Sequence, residues 1–141
     1  MSETAKSAPA SEPTARDLAA MLRAYGECAL WSSTGDDGEP LDAGRDFFDL
    51  PPKTVEAMRA DVERFARAHA DAIETWPGAS GRNDDPYGAA GHDLWLTRNG
   101  HGAGFWDGDW PEPAATELDE AAKRMGGVDL YVGDDGRIYQ S

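Results

Sequence analysis

The sequence predicts an α+β fold: an antiparallel sheet of two β-hairpins, about four strands, packed against two to three helices. Three observations carry that expectation. Apolar residues recur at three- and four-residue steps from Pro52 to Trp76, the period of a helix buried on one face. Asn99-Gly100 lies between short apolar runs, the strongest short-range hairpin signal. Near the C-terminus, "VDLYV" and "RIYQ" flank "GDDG", a second pair of strands around a turn.

The elements follow in chain order. Residues 1–13, rich in Ser, Pro, Glu and Ala, are expected to form a disordered tail, with a single domain over 14–141. The opening stretch lacks the apolar segment of a secretory signal. Residues 16–25 place Leu18, Met21, Leu22 and Tyr25 on one helical face, with Thr14 as the cap and Gly26 as the stop. "CALWSS" reads as a strand or a buried connector. A long acidic loop follows, anchored by "DFFDL". The helix over 52–76 carries Val55, Met58, Val62, Phe65, His69, Ile73 and Trp76 on one stripe, and His69 there reads as a core or edge histidine satisfied by a neighbour. Pro77-Gly78 ends this helix, and "GASGRNDDPYGAAG" forms a loop without the glycine spacing that cradles phosphate. A last helix is expected from about Ala114 to Met125, closed by Gly126-Gly127.

With Asn99-Gly100 as the turn, Leu94, Leu96, Ala103 and Phe105 fall on the core face of the first hairpin. Asp93, Trp95, Thr97, Gly102, Gly104 and Trp106 fall on the other. The bare glycines let Trp95 lie across the neighbouring strand, which accounts for much of the glycine density by packing alone. What remains is a shelf of Trp95 and Trp106 beside Asp93, with Trp110 and Tyr87 nearby. Either another element covers that shelf or it binds a partner. In the same register His92 faces Asp107, an Asp–His pair of the kind that orients a general base, though a paired histidine at a hairpin base also serves structure alone. His92 and His101 would lie roughly 20 Å apart at 3.3 Å per residue, so they share no metal. "GDDGRIY" and "DGDWPE" both fail as calcium loops, because ligand positions fall on residues without a suitable oxygen. No cofactor and no metal are expected.

Charge is the strongest global feature. Thirteen basic and twenty-seven acidic residues give −14. Seven acids against one base lie in residues 27–50, and twelve against five in 81–141, so the acidity belongs to the body of the chain. Such a surface repels phosphate backbones and disfavours direct nucleic-acid binding, while favouring a basic protein partner. Seventeen Asp against three Lys also suit solubility or high salt. No apolar run approaches the length of a membrane span. The single cysteine, Cys28, forms no internal disulfide, which fits a reducing cytoplasm.

The string "GHDLWLTRNGHGAGFWD" (91–107), with "ALWSST" (29–34) upstream and "DLYVGDDGRIY" (129–139) at the end, resembles a family of small uncharacterised proteins common in bacteriophage and bacterial genomes. The resemblance implies a phage or mobile-element setting, with the host cytoplasm as location, and supplies no site residues. Two functions stand as expectations. The first is an acidic protein-binding module, in its sharpest form an inhibitor of a host nucleic-acid-acting protein by charge mimicry. Its contact residues are Trp95, Trp106, Asp93, Trp110, Asp84, Asp85 and Asp109. The second is a small hydrolase or ligand-binding enzyme using His92 and Asp107.

Overall fold

A computed structural model describes residues 12–35, 38–77, 85–101, 103–106 and 109–141. Helix α1 spans Ala15–Ser32. Thr14 caps it in a reciprocal box: the Asp17 N–H donates to Thr14 Oγ1 at 3.0 Å, and the Thr14 N–H donates to Asp17 Oδ2 at 2.9 Å. The helix does not stop at Gly26, and "CALWSS" is its last turns rather than a strand or connector. Gly26 is a packing site. A Cβ there would meet Cδ1 of Phe47 at 2.5 Å, so glycine admits the phenyl ring that anchors the acidic loop. Phe47–Asp49 forms a short 3₁₀ turn capped by Asp46.

Helix α2 runs Pro52–Ala68 and α3 runs Ala70–Ile73. Together they cover most of the expected helix over 52–76, interrupted at His69, whose φ of −129° and ψ of 26° leave helical geometry. Thr54 Oγ1 donates to the Ile138 carbonyl at 2.7 Å and ties α2 to the C-terminal strand.

The largest correction concerns residues 86–107. The described residues among them form no hairpin. Pro86–Arg98 is helix α4, with Pro86 in its first turn and Asp85 as its N-cap, accepting from the Tyr87 N–H at 3.0 Å. Asn99-Gly100 ends that helix. Asn99 has φ of −103°, and only Gly100 takes a positive φ, of 68°. A type I′ turn needs both residues there. The Gly100 N–H donates to the Thr97 carbonyl and the His101 N–H to the Leu96 carbonyl, the paired bonds of a Schellman C-cap. The expected second strand instead folds back as a loop: the Phe105 N–H donates to Thr97 Oγ1 at 3.1 Å and the Phe105 ring is fully buried. Leu94 and Trp95, assigned to opposite faces, are both buried because α4 is enclosed on nearly every side. A helix buried all round shows no amphipathic period, and its sequence therefore mimics a strand.

Helix α5 spans Ala114–Met125, as expected, and Gly126 with φ of 78° follows it. Strands β1 (Leu130–Val132) and β2 (Ile138–Gln140) pair antiparallel, with Tyr131 opposite Tyr139. The fold is therefore helix-rich with one two-stranded hairpin among the described residues, not a four-stranded α+β sheet. One hydrophobic cluster draws on all the helices and both strands. Helix α4 sits at its centre, packed chiefly on α1 and α5. Gly91 makes the α1–α4 approach possible, since a Cβ there would overlap the Met21 backbone carbonyl. Arg98 fastens the C-terminal end of α4 to three helices. Its guanidinium donates to Asp61 Oδ2 at 2.9 Å, Tyr25 Oη at 3.1 Å and the Gly126 and Met125 carbonyls at 2.7 and 3.2 Å. No helix of the described residues is long and apolar enough to cross a membrane.

Candidate functional site

Helix α4 presents His92 and Asp93 side by side. His92 Nδ1 lies 3.2 Å from Asp93 Oδ1, and Trp110 Nε1 donates to Asp93 Oδ2 at 2.7 Å. Asp93 is thus a nearly buried carboxylate whose two oxygens are engaged, the state that makes burial of a charge tolerable. Trp76 packs on Trp110 with ring centroids 4.6 Å apart, closing one side of the carboxylate's environment. On the other side the Trp31 ring stacks over His92 at 6.5 Å and an interplanar angle of 29°. Trp31 itself is exposed.

The neighbouring nucleophile types are not poised for attack. Ser32 Oγ donates to the Cys28 carbonyl at 2.8 Å and accepts from Trp95 Nε1 at 2.8 Å, so its proton and one lone pair are already used. Burial pushes the Cys28 thiol up to about 12, and the Asp93 charge adds to the effect. A thiol so shifted stays protonated and unreactive at neutral pH. Among the described residues no group of three or more His, Cys, Asp or Glu side chains is placed to hold a metal.

Of the residues singled out from the sequence, the fold brings His92 and Trp110 onto Asp93. Trp95 is 1% exposed and packs edge-on against Tyr25, and Trp110 is buried over Asp93, so neither offers a contact surface. Trp106 is exposed, and the expected shelf of Trp95 with Trp106 does not form. Asp85 is held as the α4 cap, and Asp109 is exposed. Asp84 and Asp107 lie outside the described residues, so the expected His92–Asp107 pair does too; the carboxylate that meets His92 is Asp93. His101 is exposed after the α4 cap. His69 is satisfied by a neighbour, with Nδ1 2.7 Å from Glu117 Oε2.

Trp31 is the residue that sequence reasoning missed. Once α1 is extended past Gly26, Arg23, Glu27 and Trp31 recur at four-residue steps along its outer face, and Arg23 pairs with Glu27 at 2.8 Å. The Arg23 guanidinium also lies 4.7 Å from the centre of the Phe48 ring. The exterior carries further apolar side chains: Phe48 is 70% exposed, Trp31 61%, Trp106 54%, Tyr131 50% and Val132 41%. Tyr131 and Val132 border a groove of about 700 Å³, whose opposite wall is built from the Thr34–Pro40 bridge and the turn through Gly44 and Arg45.

Comparison with protein-family models, with curated proteins and with solved structures gives no match to this chain.

Proposed function

We propose that the protein works by binding another protein, one that presents a basic surface, and not by catalysing a reaction. The observation that carries this reading is the exposure of three large aromatic side chains, Trp31, Phe48 and Trp106, on a chain of net charge −14. Aromatic anchors of this size supply the slow-dissociating core of an interface, and the surrounding carboxylates accelerate encounter with a cationic partner. A host nucleic-acid-acting protein has a basic surface of the required kind, and the resemblance to small phage and bacterial proteins supports a cytoplasmic setting. The second reading, a ligand-binding enzyme, is favoured by one observation: the hydrogen-bonded His92–Asp93 pair beneath an exposed tryptophan.

Affinity capture from bacterial lysate at low and high salt tests the first reading. It expects basic proteins to be retained at low salt and lost as screening shortens the range of attraction. With an identified partner, Trp106→Ala raises the off-rate by tenfold or more, on the order of 2 kcal/mol for an aromatic hot spot, whereas Asp109→Asn lowers the on-rate. An unaffected off-rate in both Trp106→Ala and Trp31→Ala, or retention of nothing at low salt, refutes it. The enzyme reading predicts instead that His92→Ala destroys a turnover and leaves capture intact.

A further inference from the structure

The pairing of β1 with β2 decides which backbone groups of the hairpin are left over. The Gly133 N–H donates to the Arg137 carbonyl at 2.7 Å, and the Ser141 N–H to the Asp129 carbonyl at 2.9 Å. With Tyr131 opposite Tyr139, the hydrogen-bonded positions of β1 are therefore 129, 131 and 133. Leu130 and Val132 occupy the alternate positions, so their N–H and C=O groups point away from β2. Among the described residues those outward groups meet no partner. They border the groove of about 700 Å³ that Leu130, Tyr131 and Val132 share with the Thr34–Pro40 bridge. An open strand edge of this kind is a template for another strand, and natural proteins usually blunt it. Here it carries two exposed apolar side chains, Tyr131 and Val132.

We propose that this groove docks an extended basic segment of the partner protein, added as a third strand along β1. The inference rests on the binding reading above and adds a contact to it, since none of Trp31, Phe48 and Trp106 lines the groove. Backbone bonds to Leu130 and Val132 supply affinity without regard to sequence, and alternate side chains supply selectivity. On one face of the incoming strand, apolar residues pack beside Val132. On the other, Lys or Arg side chains lie beside the Tyr131 ring. The charge of the segments around the groove fixes the partner's sign. Among the described residues of those segments, exposed Glu39, Asp42, Asp129, Asp134 and Asp135 stand against half-buried Arg45 and exposed Arg137, an acidic excess of three, while Glu39 and Arg45 are the charged residues of the lining itself. A second copy of the chain is the competing occupant, and its own −14 opposes it.

The probe is a fluorescein-labelled seven-residue peptide alternating lysine and valine, titrated with the full chain at low salt and followed by anisotropy. Strand docking expects saturable binding and slowed hydrogen exchange at the Leu130 and Val132 amides. Val132→Pro deletes an outward N–H without touching a β1–β2 bond, a placement that edge strands tolerate, and is expected to weaken binding about tenfold, the loss of one or two backbone bonds. The same peptide N-methylated throughout keeps its charge and side chains but has no backbone donors, and is expected to bind at least as poorly; this arm does not depend on how the variant folds. Equal binding of the N-methylated peptide, absence of peptide binding, or a concentration-dependent dimer that Val132→Pro dissolves would each overturn the proposal. If lysate capture retains a basic partner and the Val132→Pro protein, folded by circular dichroism, retains it equally, strand docking fails while the binding reading stands.

Discussion

Residues 86–100 and 128–140 send nearly the same message in sequence and fold in opposite ways. Each holds short apolar runs next to a glycine-containing turn signal. The first becomes a buried helix, and the second becomes a hairpin with exposed tyrosine and valine. Composition separates them. The stretch from Pro86 to Arg98 takes six of its thirteen residues from Ala, Gly and Leu, with Thr97 as its one β-branched residue, and it follows Asp85. The C-terminal segment offers Val128, Tyr131, Val132, Ile138 and Tyr139, all β-branched or aromatic. Aspartate followed by proline thirteen residues before Asn-Gly is a helix bracketed by its own start and stop signals. A positive φ at glycine serves the end of a helix as well as the corner of a hairpin, so the Asn-Gly signal alone does not choose between them.

The comparison breaks most visibly at its arginines. Arg98 is buried and gathers α1, α2 and α5 onto the end of α4, whereas Arg137 is exposed on the hairpin turn. Arg98→Ala takes from the largely shielded Asp61 carboxylate one of its two cations, leaving Arg64 at 3.1 Å, and leaves the Tyr25 hydroxyl and two carbonyls without their donor. Urea denaturation should show a loss of about 2 to 3 kcal/mol, because several buried hydrogen bonds go at once while Arg64 still compensates the Asp61 charge. Arg137→Ala should cost less than about 0.5 kcal/mol, as surface changes do. Similar losses in the two variants would mean that α4 does not organise the core.

Glycines give the second contrast. At Gly91 an added Cβ overlaps the backbone of Met21, which moves only if helices α1 and α4 separate. At Gly133 it meets the Tyr139 ring at 2.7 Å, a half-buried side chain held by an exposed hydrogen bond to Asp135 rather than by a helix backbone. Gly91→Ala is expected to cost about 2 kcal/mol through overpacking, and Gly133→Ala under about 1 kcal/mol. A Gly91→Ala protein as stable as the parent would show that the helices do not cross so closely.

Alkaline titration sets the interior of α1 against the rest. The Cys28 thiol rises to about 12 in the folded chain, chiefly through burial and then through Asp93. Burial also raises the Tyr25 phenol to about 12, against the opposing pull of Arg98. Both groups are neutral in the native state and ionise first in the unfolded chain. The stability they contribute is therefore fully present below about pH 9, where unfolded Cys begins to ionise, and is lost as pH rises toward 12. The melting temperature should fall across that window. Cys28→Ala should flatten the fall by a few degrees near pH 10 without removing it, because Tyr25 remains. An unchanged slope would place the thiol in contact with water.

Much of this architecture was legible in the residues, and the failures have physical causes. Pro51-Pro52 and the apolar stripe mark the start of α2, and Gly126-Gly127 marks the end of α5. Helix α4 was hidden because enclosure on all sides erases the polar face that a period needs. Gly26 passed for a stop because a glycine kept for the approach of Phe47 is spelled like one kept for a cap. At the candidate site Asp93, Trp110 and His92 were named, yet their joint contact depends on where the chain after α4 folds back, which no local pattern encodes. Trp31 reads as part of a strand or a buried connector once α1 is ended at Gly26.

The smallest expected difference between the two regions is also the sharpest test of what they share. Gly100 and Gly136 have φ of 68° and 80°, and a Cβ at either would meet nothing within 4 Å. Sterics with neighbours are thus removed, and only the strain of a left-handed backbone is left, about 1 kcal/mol for alanine. Gly100→Ala and Gly136→Ala should carry the same intrinsic penalty although one closes a helix and the other a hairpin. Where the penalty is read out should differ. The C-cap of α4 is joined to the core through Thr97 and Asn99, whose Oδ1 accepts from the Val128 N–H at 2.9 Å, so Gly100→Ala should lower the midpoint of global unfolding. The two-stranded hairpin opens more readily than the core. Gly136→Ala should therefore appear first as roughly fivefold faster hydrogen exchange at the Gly133 and Ser141 amides, the change in opening constant that about 1 kcal/mol implies. A Gly100→Ala protein with an unshifted midpoint would mean that Asn99-Gly100 does not end a helix in the left-handed conformation described.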